Sequence, residues 1–101
     1  MILLRIEHPV PDFDAWKVAF DSDPVNRRKS GVKTHRVLRL VENPCYAIID
    51  LEFETQAEAE ALLNAMQQVW QRVAGSIMSS PQWQFSEIIE AKVYENGPSA
   101  T

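Results

Sequence analysis

The sequence predicts a small α+β domain with the element order β-α-β-β-α-β. Three features lead to this prediction: short stretches in which apolar and polar residues alternate, two longer stretches with apolar residues at helical spacing, and the order in which they follow one another. The chain has 101 residues, which fits one domain, predicted over 1–95, with a flexible tail over 96–101. At this length folding buries roughly 60–70% of the accessible surface, so a core can form without disulfide bonds.

The first strand and the first helix are separated by a turn that contains two prolines. Residues 2–8 alternate between apolar and polar side chains, as in a strand whose faces meet different surroundings. Pro9 and Pro11 end this strand, and Asp12 then stands in the N-cap position before apolar residues at helical spacing. We therefore predict a strand over 2–8 and a helix over about 12–22.

The middle of the chain predicts a loop followed by a β-hairpin. The loop over 23–31 is expected to hold a turn or two of helix, with Gly31 as the terminator. Two stretches rich in β-branched, aromatic and other apolar residues, 32–41 and 45–53, flank a Glu-Asn-Pro sequence at 42–44. Such a sequence is typical of a turn, so the two stretches are predicted to pair as a hairpin.

The second helix has the clearest sequence signal. Thr55 and Glu58 have the spacing of a capping box, and an apolar stripe follows them, which predicts a helix over about 56–73. After a linker over 76–82, the residues of 83–95 alternate again and predict a long last strand. The chain thus ends its regular structure on a strand.

Two helical crossovers and one hairpin produce a four-stranded antiparallel sheet with both helices on one face, which is the ferredoxin-like arrangement. In the third strand every second residue from Cys45 to Phe53 is apolar, so these residues are expected under the helices and their neighbours on the open face. The residues predicted on the open face are Leu3, Arg5, Glu7, Lys33, His35, Val37, Arg39, Tyr46, Ile48, Asp50, Glu52, Ser86, Ile88, Glu90 and Lys92.

One acid/base pair follows from the hairpin register. A two-residue loop at Glu42-Asn43 would place His35 opposite Asp50, provided that the number of loop residues is even. A carboxylate beside an imidazole can fix its tautomer and raise its basicity, which suits proton abstraction near neutral pH. The alternative is a cross-strand polar pair inside a subunit interface.

Further candidate residues lie outside this pair. His8 ends the first strand beside a turn, where it could act as a general base or simply cap backbone groups. Arg5 could orient an anionic substrate or pair with acidic neighbours in an interface. Trp16, Trp70 and Trp83 could line an aromatic substrate pocket or belong to the core.

The open face also predicts self-association. Five of its predicted members form a contiguous apolar group that a second copy of the chain could cover across a two-fold axis. The alternative is a monomer with a solvated sheet. The five residues are Leu3, Val37, Tyr46, Ile48 and Ile88.

Composition excludes several classes of function. The net charge of −4 and the pI near 5.1 argue against nucleic acid as a partner, because duplex binding depends on clustered Lys and Arg. Cys45 is the one cysteine, and the two histidines lie in separate segments, so neither a disulfide nor a Cys/His metal cluster is expected. The apolar start of the chain soon meets charged residues, which predicts no membrane span and a cytoplasmic protein.

The arrangement as a whole resembles a known superfamily. The residues that carry the resemblance are Asp12-Phe13-Asp14-Ala15-Trp16 in the first helix, Arg27, Arg28 and Gly31 in the loop, and the capped second helix. Together with the element order they resemble the dimeric α/β-barrel superfamily, which includes the antibiotic-biosynthesis monooxygenase-like proteins. The stretch 6–70 is also similar to small bacterial proteins that are loosely labelled cyclases.

The resemblance implies a homodimer with a small-molecule cavity in each subunit. Across the superfamily such cavities serve cofactor-independent oxygenation, polyketide cyclisation and other reactions, so fold does not choose among them. Haem-degrading members supply a histidine from the second helix, which has none here, so no cofactor is expected. The resulting hypothesis is a cofactor-independent monooxygenase or cyclase acting on an aromatic or polyketide-like substrate; the alternative is a non-catalytic dimerising or regulatory module.

Overall fold

The computed structural model describes residues 1–73 and 80–95 and places six elements in the predicted order. They are β1 (Ile2–Pro9), α1 (Phe13–Asp21), β2 (Thr34–Leu40), β3 (Asn43–Phe53), α2 (Gln56–Val73) and β4 (Gln82–Glu87). The strands form one antiparallel sheet in the order β2-β3-β1-β4. The predicted α+β, ferredoxin-like fold is therefore confirmed.

Both helices begin at the predicted caps. Asp12 precedes α1, and its Oδ1 accepts hydrogen bonds from the backbone N–H groups of Asp14 at 3.0 Å and Ala15 at 3.4 Å. At the start of α2, Thr55 Oγ1 accepts from the Glu58 N–H at 3.2 Å, and Glu58 Oε1 accepts from the Thr55 N–H at 3.3 Å. These reciprocal bonds form the capping box that the sequence predicted.

The loop between α1 and β2 consists of turns and holds no regular helix; one bond of helical type joins the Ser30 N–H to the Asn26 carbonyl at 3.0 Å. Asp23, Asn26 and Gly31 have positive φ angles of 56°, 51° and 98°, which interrupt any helical run. At Gly31 a Cβ atom would lie 2.6 Å from Glu58 Oε2. Glycine is therefore required here both by the backbone angle and by the close approach of the loop to the α2 cap.

The core lies between the sheet and the two helices, which share one face. The alternation predicted for β1 and β3 is confirmed for most positions, because their alternate residues are buried there. Cys45 is the exception and is exposed, since it lies in an irregular part of the hairpin. The buried cluster comprises Leu4, Ile6, Val10, Trp16, Phe20, Ala47, Ile49, Leu51, Phe53, Ala59, Leu62, Leu63 and Trp70.

The predicted phase of β2 is wrong. Three residues of β3, 44–46, separate the partners of two consecutive β2 residues, because Arg39 pairs with Ala47 and Leu40 pairs with Asn43. An odd number of extra residues reverses the alternation of faces along the strand. His35, Val37 and Arg39 therefore share the helix-covered face with their partners Leu51, Ile49 and Ala47, while Arg36 and Leu38 take the open face.

The last strand is shorter than predicted. β4 pairs with β1 from Glu87 opposite Ile2 onward, and one further bond joins the Ile88 N–H to the Met1 carbonyl at 2.9 Å. The described residues 89–95 form no strand, because β1 begins at Ile2 and offers no partner beyond that point. The predicted tail and positions 76–79 of the predicted linker lie outside the described residues. Within the described ranges, no helix has both the length and the apolar character needed to cross a bilayer.

Candidate functional site

A cavity of about 370 Å³ lies between the sheet and the helices. This volume is at the lower end of the range of about 300–1,000 Å³ that is usual for small-molecule sites. Most of its wall is apolar, and the polar contribution comes from one histidine, one serine and two arginines. The lining residues are His8, Trp16, Ala19, Phe20, Ser22, Pro24, Arg27, Ile49, Met66, Val69, Trp70 and Arg72.

His8 is the buried titratable group of this cavity. It follows Leu4 and Ile6 in the alternation of β1, so it points under the helices, and only 1% of its surface is exposed. Its ring meets Trp16 edge-on, with the ring centroids 5.6 Å apart. The imidazole is thus held on the cavity wall by the strand and by an aromatic neighbour.

The protonation of His8 follows from its surroundings. Its Nδ1 lies 3.4 Å from the Pro9 carbonyl oxygen, and a carbonyl can only accept, so this contact requires the proton on Nδ1. The Nε2 atom then carries the lone pair. Burial lowers the pKa of His8 below its ordinary value, and the hydrogen bond to Pro9 opposes this shift only in part. At neutral pH His8 is therefore an uncharged free base.

One wall of the cavity is built by aromatic side chains of α1. Phe13, Trp16 and Phe20 recur at helical spacing, and Trp16 and Phe20 line the cavity with their rings stacked and the centroids 5.4 Å apart. The Arg27 guanidinium lies 3.9 Å above the centre of the Phe20 ring, and its Nη1 donates to the Phe20 carbonyl at 2.9 Å. These contacts tie the following loop to the end of α1 and close this side of the cavity.

Three of the residues predicted from the sequence meet at the cavity: His8, Trp16 and Trp70. Trp83 does not line it but stacks on Trp70, with the ring centroids 5.9 Å apart and an interplanar angle of 28°. The tryptophans of α1 and α2 therefore contribute both to the core and to the cavity wall.

The predicted pair of His35 and Asp50 does not form. His35 lies opposite Leu51 on the helix-covered face, and its ring meets Phe20 edge-on at 5.4 Å. Asp50 lies on the other face, directly opposite Arg36. The cause is the same odd offset in the hairpin that reverses β2, so the two side chains point to opposite sides of the sheet.

Asp50 is instead held by two arginines. Arg5 donates from Nε to Oδ1 at 2.7 Å and from Nη2 to Oδ2 at 2.8 Å, and Arg36 donates to Oδ2 at 2.9 Å. These contacts lower the pKa of Asp50, mainly through the hydrogen bond from Arg5, although desolvation opposes them. The carboxylate is 2% exposed and stays ionised, and the guanidinium of Arg5 is committed to it. This geometry favours the pairing of Arg5 with an acidic neighbour over the orientation of a substrate.

Several lining residues were not predicted from the sequence as site residues. Met66 and Val69 lie on the apolar stripe of α2, and their spacing predicts ordinary core residues. Arg72 follows them at the end of that helix and carried no separate signal. Arg36 was not predicted as a partner of Asp50. Arg5 lies directly opposite Asp50 in the β1–β3 register. Within residues 1–73 and 80–95, no three His, Cys, Asp or Glu side chains are grouped to hold a metal ion.

No family model matches the sequence, and no curated protein sequence matches it. Several solved structures are similar in fold. A candidate antibiotic biosynthesis monooxygenase from Nitrosomonas europaea is 15% identical, with a TM-score of 0.70 over 89% of this chain and 100% of that one. A dimeric ferredoxin-like protein from an uncultured marine organism is 7% identical, with a TM-score of 0.64 over 93% of this chain and 100% of that one.

A third structure carries a bound ligand. It is a mutant of MhuD with two manganese protoporphyrin IX molecules per active site, 12% identical, with a TM-score of 0.65 over 93% of this chain and 100% of that one. At these identities the likeness concerns the fold. The overlap covers nearly the whole of each chain, so the shared fold includes both helices and the sheet between which the cavity lies.

Proposed function

Because the chain has the fold of the antibiotic biosynthesis monooxygenase-like and dimeric ferredoxin-like proteins, we propose that it binds an aromatic or polyketide-like molecule beside His8 and transforms it without a cofactor. The reaction class is oxygenation or cyclisation initiated by proton abstraction. The observation that carries this proposal is an uncharged, buried imidazole on the wall of an apolar cavity of about 370 Å³.

The cavity wall favours a planar apolar molecule. Trp16, Phe20 and Trp70 offer ring faces or edges, and Ile49 closes the sheet side. Aromatic rings pack well against such surfaces in offset or edge-on geometry. The volume suits a compact body of two or three fused rings, since small-molecule sites bury most of their ligand.

His8 has the chemistry of a general base in this setting. Its Nδ1–H is anchored at the Pro9 carbonyl, so Nε2 is the atom that accepts a proton. Its lowered pKa makes it a weak base, which restricts it to substrates whose protons are already acidic, such as a CH₂ group between two aromatic rings that are conjugated with a carbonyl. The resulting carbanion can reduce O₂, and the net conversion of CH₂ and O₂ yields C=O and water.

Anthrone is a suitable probe, because its activated CH₂ would be oxidised by O₂ to anthraquinone with release of water. We expect the wild-type chain to accelerate anthraquinone formation in air and His8→Gln to lose about 10²–10⁴-fold of that rate, the usual contribution of a positioned base. His35→Gln is the matched comparison, since His35 does not line the cavity. Full activity in His8→Gln, or a loss confined to His35→Gln, would contradict the assignment of His8.

A binding measurement on the same compounds addresses the non-catalytic alternative. Tryptophan fluorescence reports binding directly, because Trp16 and Trp70 line the cavity. Binding of anthrone or 2-naphthol without conversion of any tested substrate favours a regulatory module. The absence of binding would remove both the enzyme and the ligand-binding proposal.

The proposal includes a homodimer formed through the open face of the sheet. With the β2 phase corrected, Leu38 replaces Val37 and lies directly opposite Ile48, while Leu3 and Ile88 lie on the other side of the row formed by Arg36, Asp50 and Arg5. Apolar residues on an open sheet face favour self-association, and dimeric proteins share the fold. Light scattering should give twice the chain mass at micromolar concentration. A monomer at that concentration would contradict the dimer.

A further inference from the structure

The cavity carries positive charge at its solvent edge. Arg72, in the last turn of α2, lines the cavity and is exposed, whereas His8 is 1% exposed. An exposed lining residue lies where the cavity meets solvent, and a buried one lies inside. Arg72 and His8 therefore lie at different depths of the cavity, Arg72 at its edge and His8 inside.

The two arginines of the wall differ in how their charge is used. Arg27 donates to the Phe20 carbonyl and lies 3.6 Å from an Asp23 carboxylate oxygen, so its guanidinium is engaged by the loop. Arg72 has no ion pair with any carboxylate among residues 1–73 and 80–95. The remaining residues, 74–79 and 96–101, contain no Asp or Glu. Of the two lining arginines, Arg72 is therefore the one that pairs with no Asp or Glu side chain.

The rest of the wall neither repels a negative charge nor compensates one. No acidic side chain is among the described lining residues. His8 is uncharged at neutral pH and lies inside, where an anion would lose its hydration without compensation. An anionic group on a bound molecule is accommodated only at the edge, next to Arg72.

We propose that the ligand is an amphipathic aromatic anion, with its planar body in the cavity and a carboxylate or an equivalent anionic group on Arg72. This inference rests on the proposed ligand-binding function and narrows its substrate class. It gives the ligand a direction: the anionic end faces solvent, and the opposite end reaches His8. The reacting carbon is therefore on the part of the molecule remote from the anion.

A simpler role for Arg72 would be to stabilise α2. A cation in the last turn of a helix interacts favourably with the negative end of the helix dipole. Loss of that interaction would lower the melting temperature of the free protein, but it would not make binding depend on the charge of the ligand. Ligand charge selectivity therefore separates the two roles.

The test compares naphthalene-2-carboxylate with naphthalene-2-carboxamide, which has nearly the same shape and no charge. We expect the wild type to bind the carboxylate about two- to fivefold more tightly, as is usual for an exposed ion pair. R72Q should abolish this preference, and R72E should reverse it. R28Q is the matched control, because Arg28 is an exposed arginine of the neighbouring loop that does not line the cavity, and it should keep the preference.

Two results would overturn the inference on different grounds. Equal affinity for the two probes in the wild type, unchanged in R72Q, would contradict the anion assignment while leaving ligand binding in place. Failure of both probes and of 2-naphthol to bind would contradict the proposed function itself. Isothermal titration calorimetry at two salt concentrations supplies the affinities, and the carboxylate preference should weaken at the higher salt concentration.

Discussion

The two faces of the sheet use neighbouring residues of one strand in different ways. Ile49 is buried under the helices and lines the cavity, whereas Ile48, next to it, is half-buried on the open face. The polar groups differ as well: His8 has one long hydrogen bond, and Asp50 accepts three from two arginines. A group with unused bonding capacity can meet a ligand. Asp50 has little hydrogen-bonding capacity left for a ligand. Burial of a titratable residue alone therefore does not identify a site.

The largest expected effect separates the two isoleucines. Ile49→Ala should lower the free energy of unfolding by about 3 kcal/mol, because it removes buried methyl groups and leaves a hole in the core. Ile48→Ala should cost about 1 kcal/mol or less in the isolated chain, since its side chain is partly exposed. Urea denaturation of both variants measures the difference.

The same two substitutions should affect self-association in the opposite order. Ile48→Ala should shift the dimer equilibrium toward the monomer, while Ile49→Ala should leave the affinity between folded subunits unchanged. Sedimentation at several protein concentrations checks this. Equal losses of stability in the two variants, or a dimer that is insensitive to Ile48, would show that the faces are not as different as proposed.

The next effect concerns the arginine cluster of the open face. Asp50→Asn should cost about 2 kcal/mol at neutral pH, less than the ~3–5 kcal/mol of a fully buried pair, because both arginines reach solvent. The folded-state pKa of Asp50 is lowered, so its stabilisation is fully present above the unfolded pKa of about 3.9 and is lost as the pH falls through the folded value.

The wild type and Asp50→Asn should therefore converge in stability in strong acid and differ fully above about pH 5. Urea titrations at a series of pH values test this. A difference that stays constant down to the lowest pH would mean that ionisation of Asp50 contributes nothing to the fold.

His8 should give a smaller pH dependence in another range. Its folded-state pKa is lowered by burial, so protonation favours the unfolded chain. The stability of the wild type relative to His8→Gln is highest above the unfolded pKa of about 6.5 and should decline as the pH falls toward the folded value. Above about pH 5 the Asp50 contribution is constant, so a change between about pH 5 and 6.5 reports on His8. NMR titration of the imidazole should give a pKa below 6.5, and a value above it would contradict the buried, uncharged base.

The smallest expected effect is on the open face. The Tyr46 hydroxyl donates to Glu7 Oε1 at 2.6 Å, and this bond raises the pKa of Tyr46. Tyr46→Phe should lower the free energy of unfolding by about 0.5–1 kcal/mol, the usual net contribution of a partly exposed hydrogen bond. Thermal denaturation against the wild type measures it. A loss as large as that of Ile49→Ala would mean that the open face is closed off within a single chain.

Local rules predicted the fold well, because its main signals are local. The Asp12 cap, the capping box at Thr55 and the apolar alternation of β3 each depend on residues a few positions apart, and each is found in the structure. The failures are at places where distant parts of the chain decide. The length of β4 depends on where β1 begins, and the phase of β2 depends on a bulge that its own residues do not specify.

The candidate site was predictable only in part for the same reason. The alternation of β1 places His8 with Leu4 and Ile6, so its position under the helices was available from the sequence. The pair of His35 with Asp50 required the correct hairpin register, which a single odd offset removed. Arg72 became a candidate only through the cavity that surrounds it.

Methyl NMR of the isoleucines during a titration with 2-naphthol tests the central claim most directly, because Ile48 and Ile49 report on the two faces of the sheet from adjacent positions. If the ligand binds beside His8 under the helices, the Ile49 methyl resonances will shift with increasing ligand while those of Ile48 stay unchanged. Shifts confined to Ile48, or no shift at either residue at saturating 2-naphthol, would contradict the account.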